Sequence, residues 1–106
     1  MAAAKEKVQR LIDDNAVIVF SKSYCPYCAA TKKTLDGLNA AYTVVELDKE
    51  SEGGAMQDEL EKITNQRTVP NVIIKKKPIG GNSDVQAKLK SGELEKLLKD
   101  AGSLKA

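Results

Sequence analysis

Two cysteines separated by two residues constrain this chain more than any other feature. Cys25 and Cys28 are its only cysteines, and Pro26 lies between them. The pair follows an apolar run at residues 16–20 and precedes a segment with helical patterning. A strand that ends in Cys-x-x-Cys and turns into a helix is typical of a redox-active pair. Pro26 suits the first helical position, because its missing N–H costs nothing there.

This position predicts which cysteine reacts. The unpaired N–H groups at a helix N-terminus favour a thiolate over a thiol. The thiolate is the nucleophile in disulfide exchange, so we expect Cys25, at the start of the helix, to be reactive at neutral pH. Cys28 lies one turn further into the helix, and we do not expect it to be comparably acidic.

Two structural roles for the cysteine pair fit the sequence less well. A structural zinc ion needs about four Cys or His ligands, and the chain has two cysteines and no histidine. A structural disulfide would close a very short loop, which constrains the unfolded chain little. The sequence therefore favours redox chemistry, with no metal expected.

Length and composition are those of an ordinary soluble domain. With 106 residues, 42% of them hydrophobic and 30% charged, we expect a single domain with its core at about residues 8–98. A net charge of +2 gives no reason to expect nucleic acid or a membrane as a partner. No apolar run reaches about 20 residues, and the first seven residues lack a signal-peptide core. We expect a cytoplasmic protein that acts as a monomer.

The patterning predicts an α/β fold. Helices are expected over about residues 3–14, 26–39, 55–63 and 93–101, with a further helix opened by a capping box at Ser83. Strands are expected at residues 16–20, 42–47, 71–75 and 78–79, with 48–54 as a loop. The first strand, helix and second strand form a parallel crossover. Gly102 is expected to end the last helix, and the last four residues are expected to be frayed.

Three stretches carry a family resemblance. They are Ser-Lys-Ser-Tyr-Cys-Pro-Tyr-Cys at residues 21–28, Arg-Thr-Val-Pro-Asn-Val at 67–72 and Ile-Gly-Gly-Asn-Ser-Asp at 79–84. In order and spacing they resemble a dithiol glutaredoxin, over about residues 8–98. The resemblance implies a thioredoxin-like fold, a four-stranded mixed sheet flanked by about five helices. The second strand would form one edge of the sheet and residues 78–79 the other.

The resemblance also implies glutathione as a co-substrate. The implied contacts are Lys22, Tyr27, Gln57, Arg67, Thr68, Val69, Pro70, Gly81, Ser83 and Asp84. Arg67, helped by Lys22 and Gln57, would hold the glycine carboxylate. The helix start at Ser83 and Asp84 would hold the γ-glutamyl end.

The middle of glutathione would lie against the backbone. In the family the proline equivalent to Pro70 follows a cis peptide bond, so Val69 can pair with the cysteinyl part of glutathione like an added strand. Tyr27 would flank the bound sulfur.

The implied activity is that of a glutathione-dependent thiol–disulfide oxidoreductase. It would reduce glutathionylated proteins, mixed disulfides and protein disulfides in cellular redox homeostasis and electron transport. Cys25 would attack, and a second glutathione or Cys28 would resolve the mixed disulfide. One alternative is a dimer that holds an iron–sulfur cluster through Cys25 of each subunit and two glutathiones, against which Pro26 argues. Another is a thioredoxin-type reductase, although the chain lacks the tryptophan of the thioredoxin motif.

The sequence departs from the family pattern at one hairpin. The usual Asn-Gly is replaced by Lys75 and Lys76, followed by Lys77. Asn-Gly favours a two-residue turn because both positions accept positive φ. Lysine accepts positive φ less readily, so we expect this turn to be strained, longer or looser. A docking patch for acidic partners is the functional alternative for the lysines.

Overall fold

Five α-helices and four strands form in residues 2–105, the part of the chain that the computed structural model describes. The helices are α1 (Ala2–Asp14), α2 (Pro26–Gly37), α3 (Gly53–Thr64), α4 (Asn82–Ser91) and α5 (Glu93–Asp100). The strands are β1 (Val17–Ser21), β2 (Thr43–Glu46), β3 (Asn71–Ile74) and β4 (Lys77–Gly80), with a 3-10 helix at Leu47–Lys49.

The strands form one mixed sheet in the order β2-β1-β3-β4. β1 pairs in parallel with β2 and antiparallel with β3, and β3 pairs antiparallel with β4. All five residues of β1 are buried, as expected for a continuous apolar run in a central strand. The predicted mixed sheet, with β2 and β4 at its edges, is confirmed.

Side chains of β1 alternate between two cores, one on each face of the sheet. Ile18 and Phe20 face α1 and α3, and Val17 and Val19 face α2, α4 and α5. The first core also contains Ala4, Val8, Ile12, Val45, Leu47, Met56, Leu60 and Ile73. The second also contains Leu35, Ala40, Val72, Ile74, Val85, Leu94 and Leu98.

The antiparallel pairing of β1 with β3 positions the functional loops. Phe20, near the end of β1, lies opposite Asn71, which begins β3. The loop that follows β1 and the loop that precedes β3 therefore meet at one end of the sheet, where β1 finishes and β3 begins. Val72 in turn lies opposite Gly80, so the start of α4 lies at the same end.

The lysine hairpin is tighter than the sequence suggests. Ile74 pairs directly with Lys77, so only Lys75 and Lys76 form the turn. Their φ angles are 50° and 67°, both in the left-handed region that costs energy for residues other than glycine. Of the three predicted alternatives, the strained turn is therefore the one found; a longer or looser turn is wrong, because strand pairing on both sides fixes the loop at two residues.

The C-terminal tail is also more ordered than predicted. Ser103 is 5% exposed, and its carbonyl accepts the Ala41 N–H at 2.6 Å. Leu104 forms an antiparallel bridge with Ala40. Gly102 ends α5 with a φ of 70° and turns the chain back onto the body of the protein. Fraying is therefore wrong for residues 103–105, while residue 106 lies outside the described residues.

Other boundaries differ by a few residues. α2 ends at Gly37 instead of residue 39, and α3 begins at Gly53, inside the predicted loop. Within residues 2–105, no helix is long and apolar enough to cross a membrane. The same residues contain no group of three or more His, Cys, Asp or Glu side chains that could hold a metal ion.

Candidate active site

The start of α2 positions both cysteines. Cys25 is the N-cap, with an extended backbone, and Pro26 follows at the first helical position. The Cys25 sulfur accepts a hydrogen bond from the Cys28 N–H at 3.3 Å. Both cysteines are free thiols, Cys25 partly exposed and Cys28 buried. A disulfide arriving from solution can therefore reach Cys25 before Cys28.

The surroundings move the pKa values of the two thiols in opposite directions. Partial burial raises the pKa of Cys25, but hydrogen bonds from Cys28 and the Tyr27 N–H, with the charge of Lys32, lower it by more. The pKa of Cys25 therefore lies below that of an ordinary thiol. Burial raises the pKa of Cys28, and its interaction with Cys25 raises it further. Of the two thiols, Cys25 therefore loses its proton more readily.

Asp48 supports the loop that leads into the nucleophile. Its carboxylate accepts hydrogen bonds from both the N–H and the hydroxyl of Ser23. These bonds hold the pKa of Asp48 below its usual value. The same loop contains a turn in which the Cys25 N–H donates to the Lys22 carbonyl at 3.1 Å. The 3-10 helix after β2 therefore fixes the approach to Cys25.

The Thr68–Pro70 loop lies beside the nucleophile. The Val69–Pro70 peptide bond is cis, as the resemblance implied. The Cys25 sulfur lies 3.8 Å from the Val69 carbonyl oxygen. A ligand joined to the Cys25 sulfur would therefore run along the backbone of this loop.

Two adjoining grooves flank Cys25. One, of about 450 Å³, is lined by Tyr27, Thr68, Val69, Pro70, Gly81, Asn82 and Ser83. The other, of about 580 Å³, is lined by Lys22, Tyr24, Cys25, Pro26, Gln57, Arg67, Thr68 and Val69. Thr68 and Val69 line both. Every predicted glutathione contact except Asp84 therefore lies in one of the two groove linings.

Arg67 is already paired within the protein. One guanidinium nitrogen donates to Asp58 at 2.6 Å and to Glu61 at 3.1 Å, and these contacts raise the pKa of Arg67. Gln57, the other polar residue predicted near the glycine carboxylate, donates to the Arg67 carbonyl at 2.7 Å. A carboxylate that binds Arg67 must therefore share it with two carboxylates of α3.

Asp84, and not Ser83, belongs to the cap of α4. The helix begins at Asn82 with Gly81 as N-cap, and the Asp84 carboxylate accepts the Gly81 N–H at 3.0 Å. The predicted capping box at Ser83 is wrong, because the chain turns two residues earlier. That turn needs Gly80, whose φ is 124° and where a Cβ would lie 2.2 Å from an Asp84 oxygen.

Comparison with known proteins agrees with this geometry. A family model described as Glutaredoxin matches residues 17–79, more than half of the chain. The chain belongs to the glutaredoxin family. A glutaredoxin from Ricinus communis is 52% identical over 101 residues, covering 95% of this chain and 99% of the relative.

Solved glutaredoxin structures have the same fold. A buckwheat glutaredoxin–glutathione complex is 45% identical, with a TM-score of 0.95 over 98% of this chain and 94% of that one. Oxidised glutaredoxin 2 from Chlamydomonas reinhardtii is 47% identical, with a TM-score of 0.91 over 97% of each chain. The predicted family and thioredoxin-like fold are confirmed.

Sequence reasoning missed residues that act on the glutaredoxin site through others. Lys32 lowers the pKa of Cys25 and lies two turns along α2, where helical spacing could have indicated it. Asp48 supports the loop before Cys25 from a segment predicted only as loop, and no sequence signal links it to Ser23. Asn82 lines a groove and accepts a hydrogen bond from Thr31 of α2 at 2.9 Å.

Proposed function

We propose that this glutaredoxin is a glutathione-dependent thiol–disulfide oxidoreductase in which Cys25 is the nucleophile. The observation that carries the proposal is the partly exposed Cys25 sulfur at the start of α2, with its lowered pKa and two grooves beside it. A buckwheat relative of closely similar structure is described as a complex with glutathione. These observations together favour glutathione as the co-substrate.

The first half-reaction removes glutathione from a glutathionylated protein. The Cys25 thiolate attacks the glutathione sulfur, so a Cys25–glutathione disulfide forms and the S–S bond between glutathione and the substrate protein breaks. The released protein thiolate takes a proton from water. In the second half-reaction, a glutathione thiolate attacks the glutathione sulfur on Cys25. Oxidised glutathione leaves and the Cys25 thiolate is restored.

Cys28 acts on protein disulfides. Once Cys25 joins a mixed disulfide with the substrate, its sulfur no longer carries the charge that raises the pKa of Cys28. Cys28 then loses its proton more readily, attacks the Cys25 sulfur and releases the substrate thiolate. The resulting Cys25–Cys28 disulfide is reduced by two glutathiones.

The two grooves divide glutathione between them. The groove containing Lys22, Gln57 and Arg67 suits the glycine carboxylate because it supplies two cations and an amide. The backbone of Thr68, Val69 and Pro70 suits the cysteinyl part, which would pair with it as an added strand.

The opposite end of glutathione would lie at the start of α4. Gly81 and Ser83 line this groove, and helix N–H groups there favour the γ-glutamyl carboxylate. The Asp84 carboxylate can meet the ammonium group from the same turn. Tyr27, which is 68% exposed, would cover the bound sulfur.

The biological setting is part of the same proposal. The substrates are glutathionylated and disulfide-containing proteins, and the enzyme acts on them as a cytoplasmic monomer. Reduction of the Cys25–Cys28 disulfide by glutathione suits a compartment in which the glutathione pool is kept reduced, and the nearly balanced charge gives no reason to expect nucleic acid or a membrane as a partner.

A coupled assay with two cysteine variants tests the proposed function. Reduction of a glutathionylated peptide is followed with glutathione, glutathione reductase and NADPH. Cys25→Ser should abolish turnover, while Cys28→Ser should retain it because the second glutathione resolves the intermediate. With a protein disulfide as substrate, Cys28→Ser should lose most of its activity. An inactive Cys28→Ser enzyme on the glutathionylated peptide would refute the glutathione-first order.

A further inference from the structure

We propose that Gln66 is a positioning residue for glutathione exchange, an inference that rests on the proposed function. Its side-chain amide holds the Thr68–Pro70 loop in the orientation that presents the Val69 backbone beside Cys25. Gln66 itself touches neither reacting sulfur, so its effect would pass through the loop.

The amide joins the two carbonyls on either side of Val69. Gln66 Nε2 donates to the Thr68 carbonyl at 3.0 Å and to the Pro70 carbonyl at 3.0 Å. An amide nitrogen has two N–H donors, so it can satisfy both acceptors at once. The carbonyl between them, that of Val69, lies 3.8 Å from the Cys25 sulfur. The loop is therefore held at both ends while its middle stays next to the nucleophile.

Gln66 is itself held by neighbouring polar groups. Its N–H donates to the Thr64 hydroxyl oxygen at 3.3 Å, at the end of α3. Asn71 Nδ2 donates to the same oxygen at 3.0 Å and to the Gln66 carbonyl at 3.4 Å. Asn71 is 1% exposed within β3. Gln66 is thus fixed to two regular elements, which makes it a firm support for the loop, whose first residue, Thr68, is exposed.

The same side chain reaches the far side of the groove. A Cβ on Gly81 would lie 3.7 Å from Gln66 Nε2 and 3.6 Å from the Pro70 carbonyl oxygen. Gln66 therefore lies between the Thr68–Pro70 loop, to which it is bonded, and the backbone of Gly81 at the start of α4.

Loss of the amide should weaken the use of glutathione without changing the nucleophile. The Thr68 and Pro70 carbonyls would pair with water instead, and the loop would have to be ordered each time that glutathione binds. The groups that lower the pKa of Cys25 belong to α2, so that pKa should stay where it is.

The test uses two variants of Gln66 and one matched control. Gln66→Ala removes both donors, and Gln66→Met keeps about the length of the side chain, removes the donors and adds no charge. We expect each to raise the KM for a glutathionylated peptide about five- to thirtyfold, from the loss of two hydrogen bonds. Gln9→Ala should change nothing, since Gln9 is an exposed α1 residue whose side chain donates to Asp13.

Alkylation of Cys25 by iodoacetamide against pH separates positioning from general damage. We expect the wild-type profile in both Gln66 variants. If Gln66→Ala does not fold, the result with Gln66→Met decides. An unchanged KM in a folded variant, or a shifted alkylation profile, overturns the inference while leaving the proposed function intact. A wild-type enzyme that does not use glutathione overturns both.

Discussion

The pKa of Cys25 determines the pH range in which this protein can react. Hydrogen bonds from the first turn of α2 and the charge of Lys32 outweigh the effect of burial, so thiolate is present below the pKa of an ordinary thiol. As the pH falls through this lowered pKa, the sulfur becomes protonated and stops reacting. The favourable contribution of the thiolate to folding is lost over the same range.

We therefore predict that Cys25 titrates below an ordinary thiol. Thiolate absorbance of the Cys28→Ser variant, recorded against pH, should show a midpoint below that of a free thiol, because the hydrogen bonds at the start of α2 and the charge of Lys32 lower the pKa of Cys25. Cys25→Ser should show no such transition, because the pKa of Cys28 is raised. A midpoint near 8.5, about that of a free thiol, would contradict the role of the helix start.

The ion pairs of Arg67 lead to a second prediction at this scale. Asp58 and Glu61 share its guanidinium, so their charges oppose any incoming carboxylate. Asp58→Asn combined with Glu61→Gln should lower the KM for glutathione about two- to fivefold at low salt, as expected for exposed charges. The gain should disappear at high salt because the charges are screened.

Two comparisons control for other effects of these substitutions. Glu93→Gln removes an exposed pair with Lys88 at the start of α5 and should leave the KM unchanged. The gain should also be absent when Arg67→Ala is added to the double variant. An unaltered or increased KM at low salt would show that the two carboxylates position Arg67 instead of competing for it.

Among the structural elements, the β3–β4 hairpin is the one whose sequence and geometry disagree. Replacing Lys75 and Lys76 with Asn and Gly should stabilise the fold by about 0.5–1 kcal/mol, because positive φ then costs less. Urea unfolding measures the change, and turnover on a small glutathione disulfide should stay the same. A less stable variant, or a selective loss of activity on protein substrates, would indicate that the lysines serve a partner.

The elements that the sequence predicted well are those with strong local signals. The apolar run of β1 and the Cys-Pro start of α2 each determine their structure within a few residues. The ordered tail at Ser103 could not be predicted, because it depends on contacts with Ala40 and Ala41, which are far away in the sequence. The Asp84 cap of α4 could not be predicted either, because it depends on the positive φ of Gly80. The same limit applies to Asp58 and Glu61, whose pairing with Arg67 depends on how the chain turns after α3.

At the scale of the whole molecule, the sheet explains why three separate sequence motifs form one site. β1 and β3 run antiparallel, so the cysteine loop and the Thr68–Pro70 loop lie at the same end of the sheet. β4 then returns the chain to that end at Gly80. Two cores, one on each face, fix these loops relative to each other. The spacing of the motifs reflects this topology, which is why residues from all three motifs line adjoining grooves beside Cys25.

The most direct test of the account is to identify the sulfur that receives glutathione. Cys28→Ser protein is incubated with a glutathionylated peptide in the absence of free glutathione, and its intact mass and peptide map are recorded. We predict one glutathione on each protein molecule, attached to Cys25, with release of the reduced peptide. Cys25→Ser protein should acquire none. An unmodified Cys28→Ser protein, or peptide in place of glutathione on Cys25, would contradict the account.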